Sequence, residues 1–145
     1  MIKKIVVVGS GVMGRGIAYV SAVGGYETVL VDISEEQLAS AEVELEKVFH
    51  KGIEKGKITP EQRNQAHGLL SYATDLAQIA AEADLVIEAV PEKQEIKRKV
   101  FETVDQHAKD TCYFATNTST MSPTEIGSYT KRPEKLIAMH FFNPV

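Results

Sequence analysis

One cysteine and no tryptophan occur among the 145 residues. A single thiol, Cys112, excludes a disulfide framework and a cysteine metal cluster. It stands beside Tyr113 and Phe114 and reads as a small buried hydrophobe, in keeping with a reducing, cytoplasmic setting. The four histidines, at 50, 67, 107 and 140, are scattered, so no metal site is expected. An excess of positive charge is also missing. Sixteen Lys and Arg against 20 Asp and Glu leave a net charge of −4, which argues against broad affinity for nucleic acid or a membrane surface. No apolar run approaches the ~18 residues of a membrane span. The apolar run between Lys4 and Gly9 is too short for a signal-peptide core. Internal repeats and low-complexity stretches are absent. What remains is an ordinary globular composition, 43% hydrophobic and 25% charged, at a length suited to one domain.

The chain is organised around KIVVVGSGVMGRGI, Lys4 to Ile17. Ile5 to Val8 are β-branched and too few for a buried helix, so they read as a buried strand. Val12, Met13, Ile17 and Val20 then recur at helical spacing. The glycines at 9, 11, 14 and 16 sit on that strand-to-helix junction. Gly9 suits a tight turn, Gly11 a close approach of backbone to a pyrophosphate, and Gly14 close packing of helix on strand. The helix N-terminus offers unpaired N–H groups to phosphates. A second strand, Thr28 to Val31, ends in Asp32, 18 residues after Gly14. A carboxylate there accepts hydrogen bonds from ribose hydroxyls and repels a 2′-phosphate. Ile33 follows it rather than Arg, so the cofactor is expected to be NAD, with Gly9, Gly11, Met13, Gly14 and Asp32 facing it. The plainer reading of Asp32 is a turn acid before a helix cap.

Downstream, strands and helices alternate. Ser34 caps a helix with Leu38, Ala41, Leu45, Val48 and Phe49 on its apolar stripe, running to about Ile53. Thr59 and Pro60 open a short helix as cap and first position. Leu69 to Ala73 reads as a strand. Thr74 or Asp75 caps a short helix to about Ala83. Leu85 to Val90 is a fourth strand, closed by Pro91. Glu95 to Ala108 is a helix with Ile96, Val100, Phe101 and Val104 inward. Tyr113 to Ala115 is a fifth strand, Pro123 opens a helix to about Tyr129, and Leu136 to Phe142 is a sixth strand. This alternation predicts an α/β fold: a doubly wound, Rossmann-like parallel sheet of order 3-2-1-4-5-6 with helices on both faces. Ligands of such sheets lie at the carboxyl ends of the strands. Gly9 to Gly14, Asp32, Glu92, Asn117 to Ser119 and His140 to Asn143 all fall there.

Five segments, GSGVMGRGIA (9–18), DLVIEAVPE (84–92), ATNTST (115–120), KRPEK (131–135) and MHFFNPV (139–145), make the chain resemble the 3-hydroxyacyl-CoA dehydrogenases, especially the bacterial 3-hydroxybutyryl-CoA type. The resemblance spans the whole chain, and MHFFNP is far more specific than the glycine motif. It implies an NAD-binding domain over 1–145, with the family's helical second domain lying outside this chain. It implies NAD-dependent interconversion of an (S)-3-hydroxyacyl-CoA and its 3-oxoacyl-CoA. His140 then matches the catalytic base, a role suited to an imidazole. Ser119 matches the serine that hydrogen-bonds the reacting oxygen beside the nicotinamide. Asn143 matches a contact to the nicotinamide side, and Glu92 with Lys97 a pair that contacts the cofactor ribose. Lys51 and Lys55 fall where the family holds CoA phosphates. The resemblance also implies a homodimeric parent enzyme. Thr120 and Met121 depart from the family's usual Ser and Leu, while Ser119 is kept.

Each assignment has a plainer counterpart. Ser119 would then be a turn or cap hydroxyl, Glu92 a solvated acid at a helix start, Lys97 a solvated helix lysine, and Lys51 and Lys55 a solvated face. His50, His67 and His107 have no motif around them and read as surface residues. Two other functions fit the glycine motif: a non-catalytic NAD-binding protein, and a dehydrogenase of the 3-hydroxyisobutyrate type. The latter lacks HFFNP and takes a lysine base from a later domain. The family's His-orienting carboxylate follows HFFNPV, so the 145-residue chain is expected to bind NAD but turn over poorly, with apolar surface near Met139 to Val145 favouring self-association.

Overall fold

The computed structural model describes residues 1–118 and 120–145. Six strands form one parallel sheet: β1 (Lys4–Val8), β2 (Glu27–Val31), β3 (Leu70–Ala73), β4 (Leu85–Glu88), β5 (Tyr113–Thr116) and β6 (Leu136–Ala138). Their order is β3-β2-β1-β4-β5-β6, as the alternation predicts. Six helices connect them: α1 (Val12–Val23), α2 (Glu35–Glu54), α3 (Pro60–Leu69), α4 (Leu76–Ala80), α5 (Gln94–His107) and α6 (Pro123–Gly127), with a short 3-10 turn at Pro133–Lys135.

The two faces of the sheet are built by alternation. Val6 and Val8 point to one side, where Val29, Val31, Val86 and Phe114 meet Val100, Phe101 and Val104 of α5 and Ile126 of α6. Ile5 and Val7 point to the other, where Leu30 and Ile87 meet Ile17 and Ala18 of α1 and Leu38, Ala41 and Leu45 of α2. A third cluster joins the helices themselves: Phe49 packs with Ala22, Ile58 and Ala66, and its ring lies 5.1 Å from that of Tyr19.

Local signals set the helix starts. Ser34 accepts from the Gln37 N–H, and Asp75 rather than Thr74 caps α4 by accepting from Gln78. Thr59 and Gln62 form a reciprocal capping box with Pro60 in the first turn. Cys112 is buried, and burial pushes its thiol up to about 11.

Several expectations are corrected. β6 ends at Ala138 rather than Phe142, because β5 ends at Thr116 and offers no ladder beyond it. The Met139 N–H still reaches the Thr116 carbonyl, and the next step is made by a side chain, the Phe141 N–H donating to Asn117 Oδ1 at 2.9 Å. Ile96 is not inward; it is 36% exposed, and Lys97 takes the fully buried position beside it. Val12 and Val48 also face outward, Val12 at the mouth of the glycine loop and Val48 off the stripe of α2.

Candidate functional site

The carboxyl edge of the sheet carries the site, and the topology reverses there between β1 and β4. The β1–α1 loop is shaped by contacts that only glycine permits at two points. Gly9 has φ of +105°, and its N–H is held by the Val31 carbonyl at 2.8 Å. A Cβ on Gly14 would lie 1.7 Å from the Gly9 carbonyl oxygen, so helix and loop meet with no room for a side chain. At Gly11 the opposite holds: a Cβ would meet nothing within 4 Å. Gly11 is exposed, and it caps α1 with no side-chain hydrogen bond, leaving the first N–H groups of that helix to a ligand. An open backbone surface of this kind fits a pyrophosphate. Met13 is half-buried in the first turn.

Asp32 closes one side of this loop. Its Oδ2 accepts from the Ser10 N–H at 3.1 Å and the Ser10 hydroxyl at 2.7 Å, and its Oδ1 from the Ser34 N–H at 3.1 Å. The carboxylate is half-exposed. Oδ1 keeps acceptor capacity for a ribose hydroxyl, since a carboxylate oxygen takes about two hydrogen bonds. Asp32 therefore fixes the glycine loop as well as facing the crevice.

The other side of the loop, beyond β4, holds a cluster of ions. Glu88 on β4 and Lys97 on α5 are both fully buried, with Lys97 Nζ 2.7 Å from Glu88 Oε2. Lys97 also reaches Glu92 Oε1 at 3.0 Å, and the Glu92 side chain is 39% exposed. Glu88 further accepts from the Thr116 hydroxyl and the Val90 N–H. Glu92 Oε2 accepts from the hydroxyls of Thr118 at 2.5 Å and Thr120 at 2.7 Å. Partial burial pushes the Glu92 carboxyl up. Hydrogen bonds from Thr118, Thr120 and Lys97 outweigh that effect and hold it below its ordinary value, so it is ionised at neutral pH. The lysine is thus not a solvated helix residue. Its ammonium stands behind Glu92, and what it does at the crevice passes through that carboxylate.

His140 is exposed just past β6, with its ring 4.8 Å from that of Phe142. The backbone is pinned on both sides of it, at Met139 by Thr116 and at Phe141 by Asn117. Asn143 is exposed, and Val145 reaches back to α1, where a Cβ on Gly16 would meet its side chain at 2.8 Å. Ser119 lies outside the described residues. Lys51 and Lys55 are exposed at the far end of α2, on the order of 25 Å along the helix axis from Ser34, and the structure does not bring them to the glycine loop. His50 and His67 sit on the surface against Glu54 and Glu46. Among the described residues no group of His, Cys, Asp and Glu is arranged to hold a metal, and no helix is long and apolar enough to cross a membrane.

Glu88 is the residue that sequence reasoning passed over. Its signal was an acid in the middle of the apolar run LVIEAV, where alternation and burial leave no solvent to receive it.

Comparison with known proteins identifies the family. The family described as 3-hydroxyacyl-CoA dehydrogenase, NAD binding domain, matches residues 4–145. The fatty acid oxidation complex subunit alpha of Psychrobacter cryohalolentis is 40% identical over 144 residues, covering 99% of this chain and 20% of that protein. The 3-hydroxybutyryl-CoA dehydrogenase of Bradyrhizobium diazoefficiens is 38% identical over 145 residues, covering the whole of this chain and 49% of the enzyme. The crystal structure of a 3-hydroxybutyryl-CoA dehydrogenase from Escherichia coli K12 superposes with a TM-score of 0.94 at 38% identity, over 99% of this chain and 30% of that one. The chain spans half or less of the length of these relatives. From the match across residues 4–145 and the fold it shares with these enzymes, the chain belongs to the family of 3-hydroxyacyl-CoA dehydrogenase NAD-binding domains.

Proposed function

We propose that the protein carrying this domain is an NAD-dependent oxidoreductase. It interconverts an (S)-3-hydroxyacyl-CoA, 3-hydroxybutyryl-CoA foremost, and the corresponding 3-oxoacyl-CoA in fatty-acid or butanoate metabolism. The observation that carries this reading is the convergence at one sheet edge of an open glycine loop, two ionisable acids flanking it, and a histidine pinned from both sides. Bound NAD supplies the acceptor for the hydride. The chain's own residues do the rest.

Gly9, Gly11, Met13 and Gly14 seat the pyrophosphate, Asp32 takes the adenosine ribose, and Glu92, held by Lys97, takes the second ribose. Asn143 orients the nicotinamide side. His140 accepts the proton of the substrate 3-hydroxyl at a ring nitrogen and returns it in the reverse direction. Ser119 hydrogen-bonds the reacting oxygen, an assignment that rests on the resemblance alone. Lys51 and Lys55 belong to the proposal as contacts for CoA phosphates, reached by a substrate that extends away from the glycine loop. A homodimer of the whole enzyme and a cytoplasmic setting complete it.

The deciding assay is NADH oxidation by the uninterrupted gene product with acetoacetyl-CoA. Turnover that requires both reactants supports the proposal. NAD binding without turnover would leave a non-catalytic relative of the family.

A further inference from the structure

Glu88 is out of character with its place. It lies on β4 beside Val86 and Ile87, and its side chain has no exposed surface. A carboxylate there carries a large desolvation penalty unless it is paired and fully hydrogen-bonded. It is both: the Lys97 ammonium and the Val90 N–H meet Oε2, and the Thr116 hydroxyl meets Oε1 at 2.6 Å. Apolar residues in place of Glu88 and Lys97 together would serve the stability of the fold at least as well.

The charge count shows what Glu88 does. One ammonium, Lys97, is shared by two carboxylates, Glu88 and Glu92. The triad carries a net charge of −1, and Glu92 is its exposed member. Were Glu88 neutral, Lys97 would pair with Glu92 alone and cancel its charge. Glu92 Oε2 is already taken by two threonine hydroxyls and Oε1 by Lys97. That leaves about one acceptor position on Oε1 for an incoming hydroxyl. The strength of that bond depends on the charge left on the carboxylate.

We propose that Glu88 is the charge-balancing residue of the cofactor site: it offsets Lys97 inside the protein, so that Lys97 fixes Glu92 in place while Glu92 keeps its negative charge toward the ribose of the nicotinamide half. This rests on the reading that NAD lies across the glycine loop. In the order β2-β1-β4, Asp32 then serves the adenosine half and Glu92 the other half. Glu88 touches neither half and acts only through Lys97 and Glu92.

The test compares NAD with ADP, which carries only the adenosine half, by calorimetry on the wild type, Glu88→Gln and the double variant Glu88→Gln/Lys97→Met. Glu88→Gln is expected to weaken NAD about five- to tenfold, the difference between a charge-assisted and a neutral hydrogen bond, and to leave ADP within about twofold. The double variant removes both buried charges while Thr118 and Thr120 still hold Glu92. It is expected to bind NAD more tightly than Glu88→Gln alone, since the charge on Glu92 is unopposed again while the hold of Lys97 on it is lost. Equal losses for NAD and ADP in Glu88→Gln would make the residue a scaffold element and overturn the proposal. So would a double variant that binds NAD no better than the single one. Where Glu88→Gln does not fold, the double variant carries the test: loss of NAD with ADP retained overturns the proposal. Failure of the wild type to bind NAD at all would instead remove the reading on which it rests.

Discussion

At the scale of single residues, Asp32 holds two jobs at once. Its carboxylate ties down Ser10 of the glycine loop through two hydrogen bonds and faces the crevice with Oδ1. Asp32→Ala is expected to weaken NAD at least about tenfold, the worth of a hydrogen bond to a charged group. NADP gains from losing a repulsive charge what it loses in loop order, and is expected to change by less than about threefold. Titration of both cofactors into both proteins checks this, and equal wild-type affinities for NAD and NADP would sink it. His140 stands past β6 rather than in the glycine loop, so its removal separates chemistry from binding. In the uninterrupted enzyme His140→Ala is expected to lower turnover by about 10²–10⁴-fold, the usual worth of a general acid–base group, with NAD affinity unchanged. Near-normal turnover in that variant would reject the assignment.

At the scale of elements, the docking of α1 on β1 depends on the absence of one carbon. Gly14→Ala places a Cβ against the Gly9 carbonyl and must push the helix off the loop. A loss above about 2 kcal/mol is expected, with the thermal midpoint lowered by about 5 °C or more. Gly68→Ala is the internal control. It lies in α3, where a Cβ meets nothing within 4 Å, and is expected to gain about 0.5–1 kcal/mol. Differential scanning calorimetry of the two variants reads both signs. At the opposite edge of the sheet, Asp84 joins β1 to β4. The Lys109 side chain, and then the N–H groups of Lys4 and Lys3, hold its carboxyl well below the ordinary 3.8. A depressed carboxyl stabilises the fold in full above its unfolded value, and that contribution is lost as pH falls below about 3.8 toward the folded value. Asp84→Asn is therefore expected to flatten the acid limb of a midpoint-against-pH curve. An unchanged acid limb would show that this pair contributes nothing measurable.

The elements also show what local sequence carries. The glycine spacing, Ser34, Thr59 with Pro60, and the acid after β2 are signals within a few residues of the structure they specify, and each stands where its chemistry demands. The burial of Lys97 and the end of β6 were not legible for the same physical reason: each is set by a partner elsewhere in the sheet. The partner that buries Lys97 lies nine residues back on a strand, and no helical periodicity reports it. The apolar run through Phe142 continues past β6, but the ladder ends where β5 ends, and an Asn117 side chain takes over the next hydrogen bond.

At the scale of the molecule, the sheet order places three kinds of group along one edge. The open glycine loop sits at β1, acids flank it beyond β2 and β4, and the histidine stands past β6. The exposed apolar groups beside that histidine are Ile137 at 48% and Phe142 at 75%. Lys51 and Lys55 stand apart from it at the end of α2. The central claim, that NAD lies across the β1 loop between Asp32 and Glu92, is tested most directly by titrating NAD into the chain and following backbone amide resonances by NMR. The account predicts saturable shifts clustered at Gly9 to Gly14, at Asp32 and at Ala89 to Glu92, with the helix end at Lys51 and Lys55 unmoved. Shifts clustered away from the glycine loop, or none at saturating NAD, would contradict it.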